Sequence, residues 1–75
     1  MELERRLVKA MGDLDEEAVV SCVEAMLSAG VEPLRIVELC RDGLEIVGRR
    51  YESRQYFLSG LIISDDIFRN VMGIL

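Results

Sequence analysis

Apolar residues recur three and four apart along the chain and β-branched alternation is absent. The periodicity therefore predicts helix throughout, punctuated by one proline and six glycines. The first segment runs from about Glu2 to Met11, with Leu3, Leu7, Ala10 and Met11 at helical spacing, and stops at Gly12. It is short and is expected to fray. The second opens at Asp13 or Asp15, either of which can accept the orphan amide hydrogens of a first turn, and closes at Gly30. Its expected inward stripe is Ala18, Cys22, Ala25, Met26 and Ala29, widened by Val19, Val23 and Leu27. Pro33 belongs in a first turn, where its missing N–H would have no partner anyway, so a third helix begins near Glu32. Val37, Cys40, Leu44, Val47 and Tyr51 form its seam, interrupted by Gly43 and Gly48. Each of these glycines weakens a helix by roughly 0.5–1 kcal/mol relative to alanine, which fits a closely approaching backbone or flat ligand and fits a plain kink equally well. After a polar hinge, Glu52 to Gln55, comes a fourth segment with Phe57, Leu58, Leu61, Ile62, Ile63, Ile67, Phe68, Val71, Met72, Ile74 and Leu75. It is apolar almost all round and needs cover on more than one side.

Seventy-five residues, 51% of them apolar, make one module, expected to be a single all-α domain over residues 1–75, a four-helix bundle. A chain of this size buries only about 60% of its unfolded surface, so its core is thin. The charge balance, 9 Lys+Arg against 14 Asp+Glu, argues against nucleic acid or an anionic membrane as partner. Histidine is absent, which removes the commonest general base, the commonest metal ligand and imidazole-dependent triads. No catalytic residue and no metal ligand is assigned. Cys22 and Cys40 lack CxxC spacing and occupy apolar phases, so they read as buried core thiols of a cytoplasmic protein. The longest uncharged run, Gln55 to Ser64, is about half of what a membrane-spanning helix needs. Asp13, Asp15, Glu16 and Glu17 lack the spaced oxygen ligands of a calcium loop and read as capping residues. Arg49, Arg50 and Arg54 cluster at the hinge, as solvated surface or as a contact for an acidic partner.

The hinge region reads Gly43-Leu44-Glu45-Ile46-Val47-Gly48-Arg49-Arg50-Tyr51-Glu52-Ser53-Arg54-Gln55-Tyr56-Phe57-Leu58-Ser59-Gly60-Leu61. It resembles the helical cap of cobalamin-binding methyl-transfer proteins. These are the corrinoid proteins of methanol, methylamine and O-demethylase systems, with the matching module of cobalamin-dependent methionine synthase. Their pattern runs roughly G-M-x-x-V-G-x-x-[FY]-x-x-G-x-[YF]-F-L-x-x-L. The resemblance extends over Asp15 to Gly30 and the Val31–Leu34 turn, nearly the whole chain.

It implies a non-catalytic cap over the methyl-bearing face of a corrinoid, with Tyr51, Leu58 and Leu61 pointed at the ring, until a partner enzyme displaces it. The cofactor implied for the complete protein is cobalamin or another corrinoid. The partners implied are a corrinoid-holding Rossmann-like domain and a methyltransferase subunit. That domain's Asp-x-His-x-x-Gly motif has no counterpart here, so this module alone is expected to bind corrinoid weakly or not at all. Gly60 and Ser64 would let the macrocycle or a neighbouring helix approach, and the arginines at the hinge could meet the corrinoid's peripheral groups.

Four positions depart from the pattern: Leu44 for its methionine, Arg54 for the hinge glycine, Gly60 for an acidic residue, and Asp65, expected at the rim, in a slot usually small. The same side chains also fit an ordinary bundle core. The rival reading is a cofactor-free helical dimerisation or protein-interaction module, a homodimer through helix four that charge at Ile67 or Val71 would break.

Overall fold

The structure, a computed structural model, describes residues 2–75. Four helices follow one another, α1 (Glu2–Gly12), α2 (Glu16–Ser28), α3 (Pro33–Glu52) and α4 (Leu58–Ile74), with no strand among the described residues. They form an all-α four-helix bundle measuring 37 × 23 × 19 Å. Its centre is a continuous cluster to which every helix contributes: Leu7 and Met11, Val19 and Met26, Ile36 and Cys40, Ile67 and Val71.

The first helix is anchored to the rest of the bundle. Leu7 and Met11 are wholly buried, and Glu4 accepts a hydrogen bond from Arg35 Nε at 3.1 Å, tying α1 to α3. Packing of an apolar face, which the length argument leaves out, stabilises a short helix that would be marginal alone. The α2 stripe is rotated from its expected phase. Ala25 and Ala29 are exposed, while Val19, Cys22, Val23 and Met26 turn inward, because the bulkier side chains have more apolar area to remove from water. In α3 the buried positions are Ile36, Leu39, Cys40, Gly43 and Val47. Val37 and Leu44 are half-buried and Tyr51 leaves the seam altogether.

Gly43 lies where α1 crosses α3. An ideal Cβ built there would sit 2.4 Å from Met11 Cβ and 3.0 Å from the Val8 carbonyl oxygen. The close-backbone reading therefore holds at Gly43. At Gly48 an added Cβ would meet nothing within 4 Å.

The three connections share one geometry. Each ends its helix with a left-handed residue and a crossed pair of backbone hydrogen bonds, the Schellman arrangement. After α1, Leu14 takes φ 58°, with Leu14 N–H donating to Met11 O and Asp15 N–H to Ala10 O. After α2 the residue is Gly30, at φ 84°, with bonds to Leu27 O and Met26 O. After α3 it is Arg54, at φ 67°, with Arg54 N–H donating to Tyr51 O and Gln55 N–H to Arg50 O. Asp15 then caps α2, its Oδ1 accepting from Ala18 N–H at 3.2 Å, which decides between the two aspartates. Pro33 stands at the start of α3 as expected.

The hinge glycine of the related pattern is thus replaced by an arginine that adopts the glycine conformation. A left-handed L-residue costs roughly 1–2 kcal/mol. Arg54→Gly relieves that strain and adds freedom to the unfolded chain. We expect a net gain of about 0.5–1 kcal/mol, read as an upward shift in the urea midpoint. An unchanged or lowered midpoint would show that the arginine side chain contributes as much as its backbone costs.

Candidate functional site

Where a helix ends at Glu52, crosses a polar turn and restarts at Leu58, successive residues cannot all face the core, because the bend points them in different directions. Tyr51, Phe57 and Leu58 are left outside, 42%, 74% and 62% exposed. With Glu52, Arg54 and Tyr56 they line an open hollow of about 480 Å³ at the α3–α4 end of the bundle. Leu61, one turn beyond Leu58, is half-buried and lies outside the residues lining that hollow. Ile62 and Met72 extend the uncovered apolar surface along α4. The structure therefore brings Tyr51 and Leu58 together, sets Leu61 beside them, and adds Phe57, the most exposed large apolar side chain among the described residues. Phe57 stands just before α4, outside any helix, so helical period does not announce its exposure.

Two other concavities are larger. One between α1 and α2 is lined by Arg6, Lys9, Asp13, Asp15 and Glu17 among others. A second, over Val8, Leu39 and Ile46, is fringed by Glu4, Arg5, Lys9 and Arg50. Much of this charge is already satisfied within the bundle, through Lys9–Asp13, Arg50–Asp13 and Arg35–Glu4.

Gly60 and Ser64 belong to the buried row of α4 with Ile67 and Val71. What comes close to Gly60 is the side chain of Tyr56, whose Cβ would lie 3.1 Å from an added Cβ. Ser64 Oγ donates to Leu61 O at 2.8 Å. Asp65 stands at the exposed rim, paired with Arg69 at 2.9 Å. Ile67 and Val71 are buried inside the single bundle, so they are core positions and cannot serve as an outer seam.

The arginine cluster divides. Arg49 and Arg54 are exposed. Arg50 turns back toward α1: its Nη1 donates to Gly12 O at 2.8 Å, to Asp13 Oδ1 at 2.8 Å and to the Tyr56 hydroxyl at 3.0 Å. The Tyr56 hydroxyl in turn donates to the same Gly12 carbonyl at 2.8 Å, and the Arg50 guanidinium lies 5.7 Å from the Tyr56 ring centroid. Gly12 O is one of the orphan carbonyls at the negative end of α1, where a cation is favoured. Hydrogen bonds from Lys9 and then Arg50 hold the Asp13 carboxyl below the usual carboxylate range, and the Asp13 bond raises Arg50 in turn. Nothing in residue spacing announces this cluster, since Gly12 contributes only its backbone.

Both cysteines are free and buried. Burial pushes the Cys40 thiol up to about 11 from an ordinary 9.0, and Cys22 is raised for the same reason. The unfolded chain loses the Cys40 proton first, so stability is full below about pH 9 and falls as pH rises toward 11. The loss approaches about 2–3 kcal/mol. Denaturation of the parent and Cys40→Ala from pH 8 upward should show the parent falling more steeply and the gap between them closing. Parallel profiles would contradict it.

Among the described residues no cluster of His, Cys, Asp and Glu could hold a metal ion, and no helix is long and apolar enough to cross a membrane. Fold and site together define a small helical module with exposed apolar side chains gathered at its α3–α4 end. Residues 3–75 match the family model described as B12 binding domain, and the chain belongs to that family. No solved structure matches it.

Proposed function

We propose that this chain is the non-catalytic helical cap of a corrinoid protein in a methyltransferase system, lying over the methyl-bearing face of the corrinoid. The observation that carries the reading is the gathering of Tyr51, Phe57 and Leu58, all exposed, around one hollow at the α3–α4 bend. Leaving such side chains in water forgoes roughly 1.5–3 kcal/mol each, so an apolar partner surface is expected there. A bound corrinoid supplies the cobalt that accepts and gives up the methyl group. This chain's part is physical. Tyr51, Leu58 and Leu61, with Phe57 beside them, exclude water from an apolar group and present no histidine or thiol that would compete for the metal. The residues fit that one face only, so a Rossmann-like domain must hold the cofactor from the other side, and a methyltransferase subunit is the second partner.

The test is to mix the chain with a corrinoid-holding domain of this family loaded with methylcobalamin, and to follow photolysis of the methyl–cobalt bond by visible absorption. Slower photolysis with the chain present supports the cap; an unchanged rate overturns it.

A second reading, helix four as a seam between two copies, is favoured by Ile63 and Ile74. These are 45% and 39% exposed and lie on the other flank of the buried row from Leu58. Sedimentation would show a dimer that Ile63→Glu dissociates; a monomer at high concentration removes it.

A further inference from the structure

We infer that Arg50 and Tyr56 are positioning residues which set the pose of the α3–α4 bend, and with it Tyr51, Phe57 and Leu58, by latching the bend to the last carbonyl of α1. The inference rests on the cap reading for its purpose, though not for its geometry.

Residue 50 is bonded at both ends. Its carbonyl accepts from the backbone N–H groups of Gln55 and Tyr56, at 2.8 and 3.0 Å, and from Ser53 Oγ at 3.2 Å. Its guanidinium reaches Gly12 O, Asp13 and the Tyr56 hydroxyl. Tyr56 closes the loop by donating to Gly12 O, while its side chain lies against the first turn of α4, in space left free because residue 60 is glycine. Turn, cation, phenol and helix end thus form one ring of contacts, part-buried at Gly12 and Tyr56. Tyr51 follows Arg50 directly, and Phe57 and Leu58 follow Tyr56, so these three lie one or two residues from a latched one, while Leu61 stands a turn further along α4. The exposed side chains have few contacts of their own to fix them; the latch supplies the missing constraint. Gly60, which departs from the related pattern, acquires a reason: a side chain there would displace Tyr56.

Tyr56→Phe keeps the ring and removes both hydroxyl bonds. Two readouts separate positioning from general stability. Amide hydrogen exchange of the chain alone should speed up about tenfold at residues 54–60, equivalent to about 1.4 kcal/mol of local opening, with the amides of Leu39 and Cys40 unchanged. In the methylcobalamin complex described above, protection from photolysis should fall severalfold, whereas a core variant of equal or greater thermal destabilisation, Val23→Ala, retains it. Arg50→Lys, which keeps the charge but not the fork, should fall between parent and Tyr56→Phe.

Parental exchange and parental protection in Tyr56→Phe would overturn the latch. Parental protection with fast local exchange would overturn its positioning role while leaving the cap reading intact. Loss of protection in Val23→Ala as well would reduce the effect to stability and also overturn it. If the parent chain itself gives no protection, the cap reading fails and the positioning role with it, whatever the exchange shows.

Discussion

Gly43→Val is expected to remove about 3 kcal/mol or more of folding free energy. A chain of this length has roughly 4–11 kcal/mol in total, so much of the population would be unfolded at modest urea. The first added carbon would stand 2.4 Å from Met11 Cβ and 3.0 Å from the Val8 carbonyl oxygen. Neither is the free end of a flexible side chain, so relief requires α1 and α3 to move apart across the centre of the core. Met11 is wholly buried there, and parting the helices would open voids around it as well as strain the crossing. The natural control is Gly48→Ala on the same helix. Nothing lies within 4 Å of its added carbon, and the substitution should stabilise by about 0.5–1 kcal/mol through helix propensity alone. Urea midpoints moving in opposite directions would confirm that α1, and no property of glycine itself, makes position 43 special. A near-parental midpoint for Gly43→Val would show that the crossing is looser than described.

Leu58→Asp should abolish photolytic protection in the complex while leaving the bundle as stable as before. Leu58 is 62% exposed, so the fold loses little by its replacement, and an aspartate near the start of α4 is favourably placed toward the positive end of that helix. Against a dry apolar surface the same carboxylate is costly, because it carries its hydration with it, and the exposed Arg54 at the edge of the hollow offsets only a little of that cost. Full protection by Leu58→Asp would remove Leu58 from the proposed contact. Lost protection accompanied by unfolding would instead make Leu58 a structural residue, contrary to its exposure.

The residue pattern carried the architecture well because helices advertise themselves by period: Pro33 marked the third start, Gly30 the second stop, and the polar stretch Glu52–Gln55 the last bend. It misled wherever the result depended on which helix lay opposite. The length of α1 argued for fraying, yet α1 crosses Gly43 and contributes Leu7 and Met11 to the centre of the core. In α2 the expected Cys22 and Met26 are buried together with Val19 and Val23, whereas Ala25 and Ala29, whose small size suits a close helix approach, face outward. Ile67 and Val71 looked available for a partner because period alone does not say how many sides of α4 its own bundle covers. For the site, the resemblance singles out Tyr51 and Leu58, whereas helical period places Tyr51 in the inward seam and gives no sign that Leu61 is half-buried. The Arg50–Tyr56 latch lay beyond reach altogether, since it converges on a backbone carbonyl 38 residues before Arg50 and 44 before Tyr56.

The crossed hydrogen bonds that close all three connections have a mechanical corollary. Linkers of three to five residues, each with its reversal locked by its own backbone, leave no slack joint at which one helix could peel from the others. In the proposed role, uncovering the corrinoid is then a displacement of the whole body about a pivot outside the bundle, and the apolar hollow travels with it intact.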